Sequence, residues 1–201
     1  MNLRLVNIKQ LGGVHPLNTK ALRGKALDQF PLIEHAFLTL RDGKIEEFGP
    51  MSACPQDETP TRDLTGRCVL PAFVDSHSHL VYAGTREQEF NLRLKGASYE
   101  EIAAAGGGIL NSAGRVAATS QNEMQRQSGL RLNRLIANGT GTLEIKSGYG
   151  LDPENELKML RTIKALNETS HATLVPTFLA AHALPSWAKT KGMNDATYTK
   201  Y

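Results

Sequence analysis

The chain has 201 residues, with 23 Lys+Arg against 20 Asp+Glu, a net charge of +3, 40% hydrophobic residues and 18 glycines, a profile of a soluble globular protein. No apolar run of about 18 residues is available to span a bilayer, and the densest basic stretch, Asn91–Lys95, is sparse, so neither a membrane nor a nucleic-acid partner is expected. The amino terminus Met1–Lys9 lacks the apolar core of a secretory signal, and Cys54 and Cys68 form no Cys-x-x-Cys pair, which predicts a cytoplasmic protein with reduced thiols.

The first third reads as strands. Leu3–Ile8 alternates apolar with polar residues, and Ala36–Leu40 is joined to Ile45–Phe48 through Arg41-Asp42-Gly43-Lys44, an Asp-Gly signature of a tight hairpin. A polar, proline-punctuated stretch from Pro50 to Arg62 then suits a surface connection, and the expected domains are a small β-rich domain over 1–66 and a second domain over 67–201.

From Cys68 onward, apolar runs alternate with helical periodicity. Val69–Val74 is a short apolar run, and Ser98-Tyr99-Glu100-Glu101 is a capping box that opens a helix. Met124, Leu132, Leu135 and Ile136 repeat at helical spacing up to Asn138-Gly139, followed by a strand pattern in Thr142–Ile145. Asp152-Pro153 supplies an N-cap and first-turn proline for a helix carrying Leu157, Leu160, Ile163 and Leu166, and Ala172–Leu179 is again strand-like. Strand, helix, strand, helix, strand implies parallel strands with helical crossovers, an α/β barrel or a doubly wound sheet. A complete barrel needs about 250 residues; three strand candidates fit at most its first half.

The segment Val69-Leu70-Pro71-Ala72-Phe73-Val74-Asp75-Ser76-His77-Ser78-His79-Leu80 carries the chemistry. Residues two apart on a strand point the same way, so Asp75, His77 and His79 are expected on one face, with two imidazoles able to converge on one ion. With 6 histidines in the chain a chance His-x-His arises about one time in five, so spacing alone is weak. Position strengthens it, because catalytic groups of parallel α/β folds sit at the carboxyl ends of strands. His15, His35 and His171 lack that context.

Pro-x-Phe-Val-Asp-x-His-x-His closing an apolar strand resembles the amidohydrolase superfamily of metal-dependent (β/α)8-barrel hydrolases. His79–Phe90, Leu94–Ile102, Ala105–Ile109, Glu144–Leu151 with Glu156–Arg161, and Val175–Pro185 are similar, more narrowly, to the imidazolonepropionase family. The resemblance covers residues 65 to 190. It implies the first half of an amidohydrolase barrel behind a small β-sandwich domain, in which His77 and His79 bind one divalent metal ion, zinc or iron. It further implies that Arg86 holds the substrate carboxylate, that Tyr149 contacts the ligand, and that His182 contacts the ring and assists catalysis. The implied reaction is hydrolysis of the ring amide of 4-imidazolone-5-propanoate to N-formimidoyl-L-glutamate in histidine degradation, by a homodimer when full length. A third histidine ligand, an aspartate ligand and the general base would come from later strands, beyond residue 201. The resemblance gives Lys146 and Glu144 no role, and Gly106-Gly107-Gly108 lacks the Lys-Ser/Thr of a phosphate loop.

Overall fold

Ten residues of alternating character lay down β1 (Leu3–Gly12), which pairs antiparallel with β2 (Leu32–Arg41) and is flanked on its other side by the short parallel strands β4 (Thr61–Asp63) and β5 (Cys68–Val69). β2 continues antiparallel into β3 (Lys44–Pro50), so the sheet runs β3-β2-β1-β4 with β5 also on β1. At the hairpin, Asp42 and Gly43 have φ of 51° and 76°, the left-handed pair that an Asp-Gly turn requires. A bulge between Leu5 and Ile8 is turned by Asn7 at φ 56°, and Ile8, Leu11, Ala36 and Leu38 form the core of this sheet.

Arg4, only 2% exposed, crosses that sheet. Its guanidinium donates to both oxygens of Asp57 at 2.9 and 3.0 Å, to Thr39 Oγ1 at 3.0 Å and to the Pro55 carbonyl at 2.9 Å. These bonds from Arg4, and then those from Thr59, hold the Asp57 carboxyl well below the usual carboxylate range. The folded chain therefore binds fewer protons here than the unfolded chain in acid. The stability contributed is complete above an unfolded-state value of about 4 and is lost as pH falls through the folded-state value. Asp57→Asn is expected to flatten the acid limb of thermal melts recorded below about pH 4; an unaltered acid limb would count against this.

The chain divides into two units, Met1–Pro71 and Ala72–Tyr201, and the structure, a computed structural model, describes residues 2–16, 18–19, 21–198 and 200. The apolar run Val69–Val74 is split: Val69 pairs with Leu11 in the first sheet, whereas Phe73 opens the first strand of the second. In the second unit β6 (Phe73–Ser78), β7 (Thr140–Lys146) and β8 (Thr173–Thr177) are parallel in the order β6-β7-β8.

Four helices, α1 (Glu87–Leu94), α2 (Tyr99–Ala104), α3 (Ile109–Ala118) and α4 (Gln121–Ala137), connect β6 to β7, and α5 (Pro153–Thr169) connects β7 to β8. Two short helices, α6 (Ser186–Thr190) and α7 (Asp195–Tyr198), follow. The capping box forms as the sequence predicts: Ser98 Oγ accepts from Glu101 N–H and Glu101 Oε2 accepts from Ser98 N–H. α1 and α3 are helices that the apolar periodicity did not mark.

Leu143, Ile145, Val116, Met124, Leu132, Met159, Ile163 and Leu174 make the core between the parallel strands and α3–α5. Leu157, which the periodicity places on the buried stripe, is 46% exposed, whereas Glu156 beside it is 1% exposed. Asp152 caps α5 through Oδ1, which accepts from Asn155 N–H at 2.9 Å. Asp152→Ala is expected to cost about 1 kcal/mol of stability, read as a lowered denaturation midpoint; an unchanged midpoint would show the cap to be idle. Among the described residues no helix is long and apolar enough to cross a membrane.

Candidate functional site

The carboxyl ends of all three parallel strands meet at one cluster of rings. His77 lies in the last turn of the β6 pleat, His79 just past it, Tyr149 in the loop after β7, and His182 in a short 3-10 turn, Ala180–His182, after β8. Tyr149 stacks on His79 with centroids 4.9 Å apart and planes at 24°. His77 meets His79 edge-on at 5.9 Å, and His182 lies 5.6 Å from His79 and 6.0 Å from Tyr149.

A bulge sets which side chains share this face. β6 spends three residue steps between its pairs Asp75↔Leu143 and Ser78↔Ile145, where β7 spends two. Leu143 and Ile145 are both buried in the helix-side core, so Asp75 and Ser78 fall on that side and His77 and His79 on the opposite one. The expectation that Asp75 shares a face with the two histidines is thereby corrected. Its Oδ1 instead accepts from His77 N–H at 3.1 Å and holds the bulge.

On β7, Glu144 and Lys146 alternate with the buried Leu143 and Ile145 and form a close ion pair, each under one-fifth exposed. Burial pushes the Glu144 carboxyl up, but hydrogen bonds from Lys146 and Thr177 and the Lys146 charge outweigh it, and the group titrates below its usual value. Glu144 Oε2 is buried without a hydrogen-bond partner. Ser147, fully buried, donates its N–H to Thr177 O at 3.0 Å and accepts from Leu179 N–H at 2.9 Å, tying the ends of β7 and β8 together. No spacing motif marked Ser147. A small polar residue directly after a strand-end lysine was the one available signal.

His79 is drawn below the ordinary histidine value, first by burial and then by the neighbouring His182, His77 and Lys146. Its Nδ1 is buried with no hydrogen-bond partner. A neutral imidazole with an unpartnered ring nitrogen suits a metal ligand, which must be deprotonated. Yet two imidazoles fall short of the three protein ligands a catalytic zinc site uses. Among the described residues no group of three or more His, Cys, Asp or Glu is placed to hold an ion.

Arg86 stands apart from the rings. It precedes α1, is 43% exposed, and pairs with Glu89 at 3.7 Å; among the described residues no hydrogen bond or ion pair joins it to the ring cluster. It lines a polar cleft of about 430 Å³ with Glu89, Gly106, Asn111 and Arg115. Glu89 also accepts from Gly108 N–H and from Asn111, which fastens the glycine-rich loop beside Arg86. The structure thus assembles His77, His79, Tyr149 and His182 and leaves Arg86 in a separate cleft.

Solved structures show the fold. E. coli guanine deaminase superposes with a TM-score of 0.63 at 14% identity, over 100% of this chain and 43% of the deaminase. A triazine hydrolase from Arthobacter aurescens superposes with a TM-score of 0.58, also at 14% identity, over 88% of this chain and 35% of its own. The fold is that of the amidohydrolases, with β6–β8 and their helices forming part of a barrel. No family model matches the chain.

Sequence comparison is more specific. The imidazolonepropionase of Christiangramia forsetii is 48% identical over 186 residues, 92% of this chain and 45% of the relative. That of Flavobacterium johnsoniae is 46% identical over 197 residues, 96% of this chain and 48% of its own length, and that of Brucella anthropi 45% identical over 167 residues. The chain belongs to the imidazolonepropionase family. It spans about half the length of the curated relatives it matches.

Proposed function

We propose that these residues carry part of the active site of a metal-dependent hydrolase. It opens the ring amide of 4-imidazolone-5-propanoate to give N-formimidoyl-L-glutamate. The observation that carries the reading is the convergence of His77, His79, Tyr149 and His182 at the carboxyl ends of three parallel strands, in a chain 48% identical to a named imidazolonepropionase. His77 and His79 would hold a divalent ion, zinc or iron; one solved neighbour, an atrazine chlorohydrolase from Arthrobacter aurescens, is described as complexed with zinc. Such an ion supplies polarisation of a carbonyl and a water of lowered pKa.

The chain's own groups supply recognition. The Tyr149 ring and the His182 imidazole border the space beside His79, where a flat five-membered ring is stacked and met by a hydrogen-bond donor. Arg86, in the cleft it lines with Glu89 and Arg115, takes the propanoate carboxylate, which fixes the ring's orientation through a remote contact. Reaching it requires Arg86 to exchange its 3.7 Å pairing with Glu89 for the ligand. Arg86→Lys is expected to raise KM for imidazolonepropanoate about tenfold or more with a smaller change in kcat, because a lysine keeps the charge but loses the bidentate fork. An unchanged KM would remove Arg86 from the site.

The test compares the 201-residue chain with a fusion of the same residues to the second half of the Christiangramia forsetii relative. Both are supplied with zinc or iron(II) and assayed on imidazolonepropanoate, guanine, hydantoin and dihydroorotate. The fusion is expected to hydrolyse imidazolonepropanoate alone, and the 201-residue chain to be inactive by itself, since its described residues offer too few ligands. Turnover of guanine, or none of imidazolonepropanoate by the fusion, would overturn the reading.

A further inference from the structure

Tyr149 is presented by a loop that has little reason to hold its shape unaided. Gly148 has φ 106°, and the non-glycine Leu151 has φ 57°, a left-handed conformation that a leucine adopts only under constraint. A Cβ added at Gly150 would lie 2.4 Å from Glu156 N and 2.6 Å from Asn155 C, so the loop rests directly on the first turn of α5. A Cβ at Gly148 would meet Leu179 O at 2.9 Å and His182 Cβ at 3.1 Å. The same few residues therefore touch both the tyrosine and the histidine of the ring cluster.

What holds them is the side chain of Glu156, fully buried in the first turn of α5. Its Oε2 accepts from Gly148 N–H at 2.9 Å, and its Oε1 accepts from Gly150 N–H at 2.7 Å and Leu151 N–H at 3.0 Å. Three backbone donors that flank Tyr149 on both sides thus close on one carboxylate. Among the described residues Glu156 forms no ion pair with a lysine or arginine, so these donors are what compensates its burial.

We propose that Glu156 is a positioning residue: its carboxylate fixes the Gly148–Leu151 backbone and so sets the Tyr149 ring against His79 and beside His182, without itself touching the ligand. The inference rests on the reading of those rings as the substrate-facing cluster. Carboxylate chemistry is essential, because an amide has one acceptor oxygen. In Glu156→Gln the oxygen serves Gly150 and Leu151 while the amino group faces Gly148 N–H, donor against donor, at the loop's glycine hinge.

The experiment measures carbethoxylation of individual histidines by diethyl pyrocarbonate, followed by mass spectrometry, on the metal-free 201-residue chain. The stacked Tyr149 ring shields His79, whereas His171 is exposed and far along the sequence from the loop. In Glu156→Gln the His79 labelling rate is expected to rise about tenfold, the ratio that one unsatisfied buried donor corresponds to, and to approach the rate in Tyr149→Ala. His171 should keep its rate. A folded Glu156→Gln with unchanged His79 labelling would overturn the proposal, because a carboxylate that merely stabilised α5 would lower the melting temperature and leave His79 shielded.

Should Glu156→Gln not fold, amide exchange in the unsubstituted chain decides. Protection of the Gly148, Gly150 and Leu151 amides well beyond that of the exposed Asp42–Gly43 turn supports the proposal; exchange at open-loop rates refutes it. If the fusion described above fails to hydrolyse imidazolonepropanoate, the functional reading falls, and the labelling and exchange results still stand or fall by themselves.

Discussion

His79→Ala is expected to abolish tight binding of a divalent ion and to reduce turnover by the active fusion by more than about 100-fold, since even partners one shell further out cost 10- to 100-fold. The reason lies in how His79 is held. It is the ring against which Tyr149 stacks and to which His77 and His182 are both nearest, and its Nδ1 is buried without a protein hydrogen-bond partner. Burial first, and then the neighbouring His182, His77 and Lys146, draw it below the ordinary histidine value, which favours the neutral form that a metal ligand requires. His77→Ala is expected to follow in the same direction, with a milder disturbance of the rings because His77 is exposed. Chelator competition gives the affinity and steady-state assay the turnover. Retention of stoichiometric metal by His79→Ala would remove this histidine from the ligand set.

Ile145→Ala carries the largest expected effect on stability, about 2–5 kcal/mol, the range for truncating a fully buried aliphatic side chain that leaves a cavity. Ile145 is 0% exposed on the central strand of the parallel sheet, between Glu144 and Lys146 and in register with Ser78 and Pro176. The cavity would open directly behind the face that carries the ring cluster. Leu157→Ala provides the contrast. Leu157 is 46% exposed, so its loss should stay within about 0.5 kcal/mol. Urea unfolding, followed by a probe in the second unit, reads both; equal midpoint shifts in the two variants would show that exposure does not report packing here.

Leu157 also shows where sequence reasoning reaches its limit. Apolar spacing along α5 marks a helix correctly and marks Ile163 and Leu166 as core, but it ranks Leu157 above Glu156 because it counts polarity and not hydrogen-bond supply. A carboxylate becomes a core residue only when a loop folds its amides onto it, and that loop comes from a different element. Local rules fared well where the chemistry is local: the Asp42-Gly43 turn, the Ser98 capping box and the Asp152 cap all form as their side chains dictate.

The histidine pair was legible as a motif, and its face was not. An extra residue in β6 is invisible in the alternation of Asp75, Ser76, His77, Ser78 and His79, since the slip depends on pairing with β7. Arg86 was legible as a residue type suited to a carboxylate. That its present partner is Glu89, in a cleft built by α1, α3 and the glycine-rich loop, could be known only from the packing.

Arg131 on α4 donates Nε to Leu80 O at 3.1 Å and Nη2 to Tyr82 O at 2.7 Å, and its guanidinium lies 3.7 Å over the Tyr82 ring. The backbone leaving the histidine strand is therefore clamped to α4 before the excursion through α1, α2 and α3 begins. The excursion is pinned again at its far end, where Val116 of α3 is buried beside Leu143 and Ile145 and Lys158 holds the Val116 and Thr119 carbonyls, so the Arg86 cleft is slung between two anchored points.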